Sequence, residues 1–192
     1  MSTMTEINVP KTIVLIGMMG VGKTSIGKRL AKRLNFTFTD SDHEVELASK
    51  CSIADIFEIY GEDAFHDVER RVIKRLLDES NHVLATGGSA FADAATNDLI
   101  KKQGISIWLQ VGIDTLVPRI ERRDHRPQFS GGDTRETLEE LMQRYEEYYS
   151  RADIKIDCND TTPEVTTDKI ILELNRYLSK QQMDSGKKIQ HV

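Results

Sequence analysis

Gly17-Met18-Met19-Gly20-Val21-Gly22-Lys23-Thr24-Ser25 is the stretch that decides the fold. It is a complete G-x-x-x-x-G-K-T loop, and the spacing has a physical reason. Gly17 and Gly22 allow backbone turns that a side chain forbids, so consecutive N–H groups can point inward at phosphate oxygens. Lys23 carries a mobile positive charge to the outer phosphates, and the Thr24 hydroxyl is a hard oxygen suited to Mg²⁺. The flanks agree with this reading. Thr12-Ile13-Val14-Leu15-Ile16 is an apolar, β-branched run that reads as a buried strand, and Ile26, Leu30, Ala31 and Leu34 recur at helical spacing after the loop. A strand feeding a helix N-terminus adds the helix dipole to the anion site. The loop therefore predicts a nucleoside triphosphate held by Gly17, Met19, Gly20, Val21, Gly22, Lys23, Thr24 and Ser25.

The rest of the chain bounds what such a protein can be. A length of 192 residues suits one well-buried α/β domain and is short for two. The longest apolar stretch, near 13–21, is too short and glycine-rich to span a bilayer, and no basic segment followed by an apolar core opens the chain. The expectation is a cytoplasmic protein without a membrane partner. Cys51 and Cys158 are unclustered and fit reduced thiols rather than a disulfide or metal framework. The formal charge of −5 disfavours a nucleic-acid partner. Against that balance Arg119, Arg122, Arg123 and Arg126 cluster closely, which suggests a small polyanion as ligand.

Strand-like runs at 12–16, 36–39, 82–86, 105–109 and 154–157 alternate with helical patterns near 24–34, 42–49, 53–59, 63–79, 93–102, 114–123, 135–150 and 164–178. Strands separated by helical crossovers imply a mostly parallel sheet covered on both faces. Ser52 followed by Asp55 resembles a capping pair, Pro163 suits the first turn of a last helix, and Pro118 fits a helix only near its first turn. Residues 1–11 and 180–192 read as flexible ends around a single domain at 12–179.

After the second strand comes Thr39-Asp40-Ser41-Asp42, at a strand's carboxyl end, where open α/β sheets place their ligands. In extended chain both carboxylates face one way, so Asp40 can serve Mg²⁺ while Asp42 accepts a proton from an attacking hydroxyl. The plainer alternative is that Asp42 caps the following helix. From here the order of motifs becomes specific. The loop, Asp40-Ser41-Asp42, Ser52-Ile53-Ala54-Asp55-Ile56-Phe57, Gly61-Glu62-x-x-Phe65, Leu84-Ala85-Thr86-Gly87-Gly88, Arg126-Pro127 and the helix bearing Arg144 follow one another as in the shikimate kinases, which the chain resembles over about residues 11–175.

The resemblance implies a three-layer α/β/α fold of the P-loop nucleoside-monophosphate-kinase type, with a five-stranded parallel sheet and a mobile lid at about 124–134. It implies transfer of the ATP γ-phosphoryl group to the 3-hydroxyl of shikimate, with Mg²⁺ as cofactor; nothing in the sequence demands more than a monomer. By the same resemblance Lys23 is the phosphate lysine, Thr24 and Asp40 serve the metal, and Asp42 holds the acceptor hydroxyls and acts as base. Gly87 and Gly88 form the substrate turn, Arg119 lies against adenine, Arg126 reaches the transferring group from the lid, and Arg144 binds the shikimate carboxylate. Taken alone, Arg144 also fits a solvated helix residue paired with Glu140.

Two positions depart from the family pattern: His66 stands where a second carboxylate-binding arginine is usual, and Ser89 replaces the third glycine of the turn. A neutral histidine offers one donor where arginine offers a charged fork. Losing a charge-assisted contact costs about 1.5–3 kcal/mol, or about tenfold to a hundredfold in acid affinity. The alternative is that His66 packs on the helix surface while Arg144 alone meets the acid. Two other functions stay open: a related small-molecule kinase with another acceptor, such as gluconate or a nucleoside monophosphate, and a non-catalytic nucleotide-binding protein.

Overall fold

The computed structural model describes residues 9–122 and 133–189, with side chains as far as Met183. Five strands, β1 (Thr12–Ile16), β2 (Thr37–Asp40), β3 (His82–Ala85), β4 (Gly104–Gln110) and β5 (Ile154–Asp157), form one parallel sheet in the order β2-β3-β1-β4-β5. Every residue of β1 and β3 is buried, which is why both, after Thr12 and His82 at their starts, run on as apolar residues rather than alternating ones. β1 lies at the centre, with Leu15 opposite Ala85 on one side and Ile107 on the other.

Seven helices complete the described fold: α1 (Lys23–Leu34), α2 (Ser41–Ser49), α3 (Ile53–Leu77), α4 (Ala94–Gln103), α5 (Ile113–Glu121), α6 (Thr134–Tyr149) and α7 (Pro163–Ile189). The crossover from β1 to β2 moves toward one edge of the sheet and that from β3 to β4 toward the other. Right-handed connections therefore put α1 and α4 on opposite faces. α7 packs with α1, and α3 with α4. The last helix is pinned to the sheet by Asp153, which accepts from Ser106 Oγ at 2.6 Å and from the Tyr177 hydroxyl at 3.1 Å.

Several boundaries differ from the sequence reading. The helices expected at 53–59 and 63–79 are present as the two arms of α3, separated at Gly61, whose backbone (φ 83, ψ 176) leaves the helical region. Glycine takes that conformation without the penalty a side chain would bring, so the chain bends and continues. Pro118 sits beyond the first turn of α5, which is short enough to lose one backbone bond while Leu116 and Ile120 hold it to the core. α7 runs past the expected end at 178 to Ile189. Residues 1–8, most of the 124–134 segment and 190–192 lie outside the described residues.

Candidate active site

The carboxyl ends of β1, β2 and β3 meet at the phosphate loop. Gly17, Gly20 and Gly22 all have positive φ (135, 80 and 101), so the loop is shaped by the glycines the motif supplies. Gly17 is also a close approach: a Cβ there would lie 2.7 Å from the Leu109 carbonyl oxygen. Lys23 Nζ donates to the carbonyls of Gly17 at 2.6 Å and Met18 at 3.0 Å, which holds the ammonium over the loop. Gly20, Val21, Gly22 and Ile26 form one wall of a pocket of about 180 Å³, and Arg119, Cys158, Thr161, Pro163 and Thr166 form the rest. Arg119 thus stands across the pocket from the loop. Burial pushes the Cys158 thiol up to about 11, so it serves the pocket as an apolar wall and not as a nucleophile.

Asp40 ends β2 and does two jobs. Its Oδ1 accepts the Asp42 backbone N–H at 3.2 Å and caps α2, while its Oδ2 accepts from Thr24 Oγ1 at 2.8 Å. The cap is therefore Asp40, not Asp42. The two aspartates also do not share a face by strand alternation, because the helix begins at Ser41 and carries Asp42 round in its first turn. Thr24 and Asp40 present a hydroxyl and a carboxylate oxygen side by side. That donor pair fits Mg²⁺, which takes one or two protein oxygens and fills its octahedron with phosphate and water. No group of three or more His, Cys, Asp or Glu arranged for a metal occurs among the described residues, as expected for such a sparsely held ion.

The acceptor turn follows β3. Thr86 donates from both N and Oγ1 to the Leu15 carbonyl, each at 3.2 Å, which fixes the end of β3 against β1. Gly87 N–H donates to Ser41 Oγ at 3.2 Å. A Cβ on Gly87 would fall 2.7 Å from Asp42 Oδ1 and 2.9 Å from Glu69 Oε1, so two carboxylates crowd this residue and a side chain here would have to displace them. A Cβ on Gly88 would lie 4.0 Å from Met19 N and 4.0 Å from the Tyr149 hydroxyl. Acceptor turn and phosphate loop are neighbours, with the Asp42 carboxylate alongside.

His66 lies one turn from Glu69 on α3, its Nδ1 3.1 Å from Glu69 Oε2 and its Nε2 3.6 Å from Glu62 Oε1. The hydrogen bond to Glu69 raises the His66 pKa above the usual 6.5, burial partly opposes it, and the charges of Glu69, Glu62 and Asp93 add to the rise. Asp93 caps α4 and pairs with Arg70 at 3.1 Å. Burial disfavours its charged form, but hydrogen bonds from Arg70 and Thr96 outweigh that and hold its pKa at about 2.

The candidate residues are thus sorted by the fold. Lys23, Thr24, Asp40 and Arg119 gather at the loop, Asp42 stands at the Gly87-Gly88 turn, and His66 is one residue removed, on the Glu69 carboxylate whose other oxygen faces Gly87. Arg144 is exposed on α6, where it hydrogen-bonds the Tyr145 hydroxyl. Arg126 and the lid expected around it lie outside the described residues, except Asp133, which caps α6, and Thr134, which begins it.

Three residues escaped the sequence reading. Glu69 is fully buried, with Oε1 lacking any hydrogen-bond partner. Its signal was a lone acid between Phe65 and Ile73 on the apolar stripe of α3. Tyr149, also buried, donates its hydroxyl to the Gly88 carbonyl and stacks at 5.8 Å from Trp108. Tyr145 lies half-buried beside it, 5.9 Å between ring centroids, and within the field of Glu62 and Glu69. No signal in the sequence distinguished these tyrosines from ordinary core aromatics.

The family model for shikimate kinase matches residues 19–175. The chain belongs to the shikimate kinase family. A shikimate kinase of Paramagnetospirillum magneticum is 47% identical over 168 residues, covering 88% of this chain and 86% of that one. One from Brucella canis is 42% identical over 176 residues, covering 92% and 88%. Among solved structures, the shikimate kinase from Acinetobacter baumannii in complex with shikimate superimposes with a TM-score of 0.82 at 33% identity, covering 86% of this chain and 94% of that one. The enzyme is an ATP-dependent kinase of this family, and its sheet and helices are those of the P-loop kinase fold. No described helix is long and apolar enough to cross a membrane.

Proposed function

We propose that phosphoryl transfer from ATP to the 3-hydroxyl of shikimate takes place between the phosphate loop and the Gly87-Gly88 turn. One observation carries this reading: the turn comes to 4.0 Å from Met19 N, measured from a Cβ on Gly88, while Asp42 Oδ1 flanks Gly87. A hydroxyl seated on the turn would therefore face a γ-phosphate seated in the loop, with a carboxylate beside it to take its proton.

Phosphoryl transfer needs positioning and charge neutralisation more than covalent help. The backbone N–H groups of Met19, Gly20, Val21, Gly22 and Ser25 cradle the phosphates, Lys23 neutralises them, and Arg119 lies along the base. Thr24 and Asp40 would hold Mg²⁺, which supplies charge to the β- and γ-oxygens when bound. Asp42 orients the acceptor and accepts its hydroxyl proton. Gly87 and Gly88 offer backbone contacts to the ring, while His66 and Arg144 answer its carboxylate. Arg126, outside the described residues, is assigned to the transferring group by the family resemblance. The enzyme works as a cytoplasmic monomer, with ATP and shikimate as its partners and neither nucleic acid nor membrane.

ADP release measured with shikimate, with gluconate and without acceptor tests the reading. Shikimate-dependent release is expected. Release driven by gluconate instead would replace the acceptor, and nucleotide binding without any turnover would leave a non-catalytic protein.

A further inference from the structure

The carboxylates around the acceptor turn pose an electrostatic problem. Asp42 and Glu69 flank Gly87, and Glu62 stands one turn along α3. An anionic acceptor seated on the turn would meet the Asp42 and Glu69 carboxylates beside Gly87. His66 is the cation source in direct contact with Glu69, and its charge is conditional.

Geometry fixes how that charge is used. Glu69 is buried and acts as acceptor for Nδ1 at 3.1 Å, which assigns the Nδ1–H tautomer to a neutral His66. Nε2 is then a bare lone pair, and it would repel an incoming carboxylate. Adding one proton turns Nε2 into a donor without moving the ring. Glu62 Oε1, 3.6 Å from Nε2, is too far for a good hydrogen bond, and its side chain is 75% exposed, so it can yield to a ligand. The ring itself is held by Glu69 and by the edge of Phe65 at 5.3 Å.

We infer that acceptor binding is proton-linked through His66: Nε2 must carry a proton to receive the carboxylate, and the site takes one up from solvent whenever His66 is neutral beforehand. This rests on shikimate, a carboxylic acid, being the acceptor. The groups facing His66 are Glu62 and Glu69 from α3, Asp93 from the start of α4, and Tyr145 on α6 beside the same two glutamates; Asp42 of α2 lies near Glu69 across Gly87. Those carboxylates all favour the cation, and Arg70 partly offsets Asp93. The hydrogen bond to Glu69 raises the His66 pKa above 6.5, against burial, so the linkage sets in above the ordinary histidine titration. Below the raised titration the histidine is already charged and affinity is flat. Above it, affinity falls about tenfold per pH unit.

Calorimetric titration of the full chain with shikimate, in buffers of differing ionisation enthalpy between about pH 6 and 9, tests this. Proton uptake should rise from near zero toward one per site as pH increases, while the affinity for ATP shows no such slope. His66→Arg should bind with no uptake and no slope, because its charge is permanent. His66→Gln should also lose the slope, and bind about tenfold more weakly than the wild type at low pH. Shikimate binding by the wild type with no uptake, and with the pH profile of His66→Arg, overturns the linkage and leaves the acceptor assignment standing. Failure of the wild type to bind shikimate at any pH overturns the acceptor assignment itself, and the linkage with it.

Discussion

The two halves of the active site are built from different materials. The nucleotide half is backbone: three glycines at positive φ, a lysine tethered to two carbonyls and a helix N-terminus. The acceptor half is side chain, with Asp42, His66, Glu69 and Tyr149 converging from α2, α3 and α6 on one short turn. Backbone amides keep their character at any working pH, so most of the grip on triphosphate does not depend on protons. The acceptor half gains selectivity from placed charges, and with it dependence on neighbours and on protons. Substitutions in the two halves should therefore fail in different ways.

The sharpest break is expected from Asp42→Asn, which keeps the size of the side chain and removes the base. Turnover should fall by about 10²–10⁴-fold while the dissociation constant for ATP changes little. Single-turnover kinetics beside nucleotide titration would check it. A parallel loss of ATP affinity would mean that Asp42 belongs to the nucleotide half and that the division is wrong.

Gly17→Ala tests the other half. Its φ of 135 and the backbone oxygen of Leu109 at 2.7 Å leave a methyl group nowhere to go, because neither can swing aside. The strain should cost about 1–3 kcal/mol of stability and weaken ATP binding. Denaturant midpoints and nucleotide titration measure both, and unchanged values would show that the loop is softer than its geometry implies.

Gly87→Ala looks similar on paper and should behave oppositely. The atoms in its way are carboxylate oxygens of Asp42 and Glu69, which can rotate. Stability should change by less than about 1 kcal/mol. Displacing Asp42 should nonetheless lower kcat/KM for shikimate by about tenfold to a hundredfold, with the KM for ATP preserved. A large loss of stability without a kinetic defect would make the turn a structural element rather than a catalytic one.

This division also explains what could be read from the chain. The nucleotide half is contiguous and formed by residue types with no substitute, so Gly17 to Ser25 announce themselves. The sheet was legible because β1 and β3 are buried throughout and, after Thr12 and His82 at their starts, hold only apolar residues. The acceptor half is assembled across distant segments, and its members look ordinary where they stand. Asp42 was recognisable, but the cap belongs to Asp40 because the helix starts one residue earlier than strand alternation assumed. The break in α3 was legible too: Gly61 interrupts the helical pattern, and its non-helical backbone separates the two arms expected at 53–59 and 63–79 before the apolar stripe resumes. Glu69 and Tyr149 act through contacts made only when α3, α6 and the turn after β3 are packed together.

The smallest effect is expected at Tyr149, and it separates a fixed contact from a titrating one. Its hydroxyl donates to the Gly88 carbonyl from a buried position, and burial pushes its pKa far up, so it remains a donor at every working pH. Tyr149→Phe keeps the ring against Trp108 and deletes only that donor. Losing one neutral hydrogen bond costs about 0.5–1.5 kcal/mol, which should raise the KM for shikimate about two- to tenfold and leave that for ATP alone. Because the tyrosine does not titrate, the penalty should be equal at about pH 6 and about pH 9, unlike that of any substitution at His66. Steady-state kinetics at the two pH values decide the matter. A penalty that changes with pH would show that Tyr149 is coupled to the His66–Glu69 pair, and that the turn and the histidine act as one unit rather than as separate supports of the acceptor.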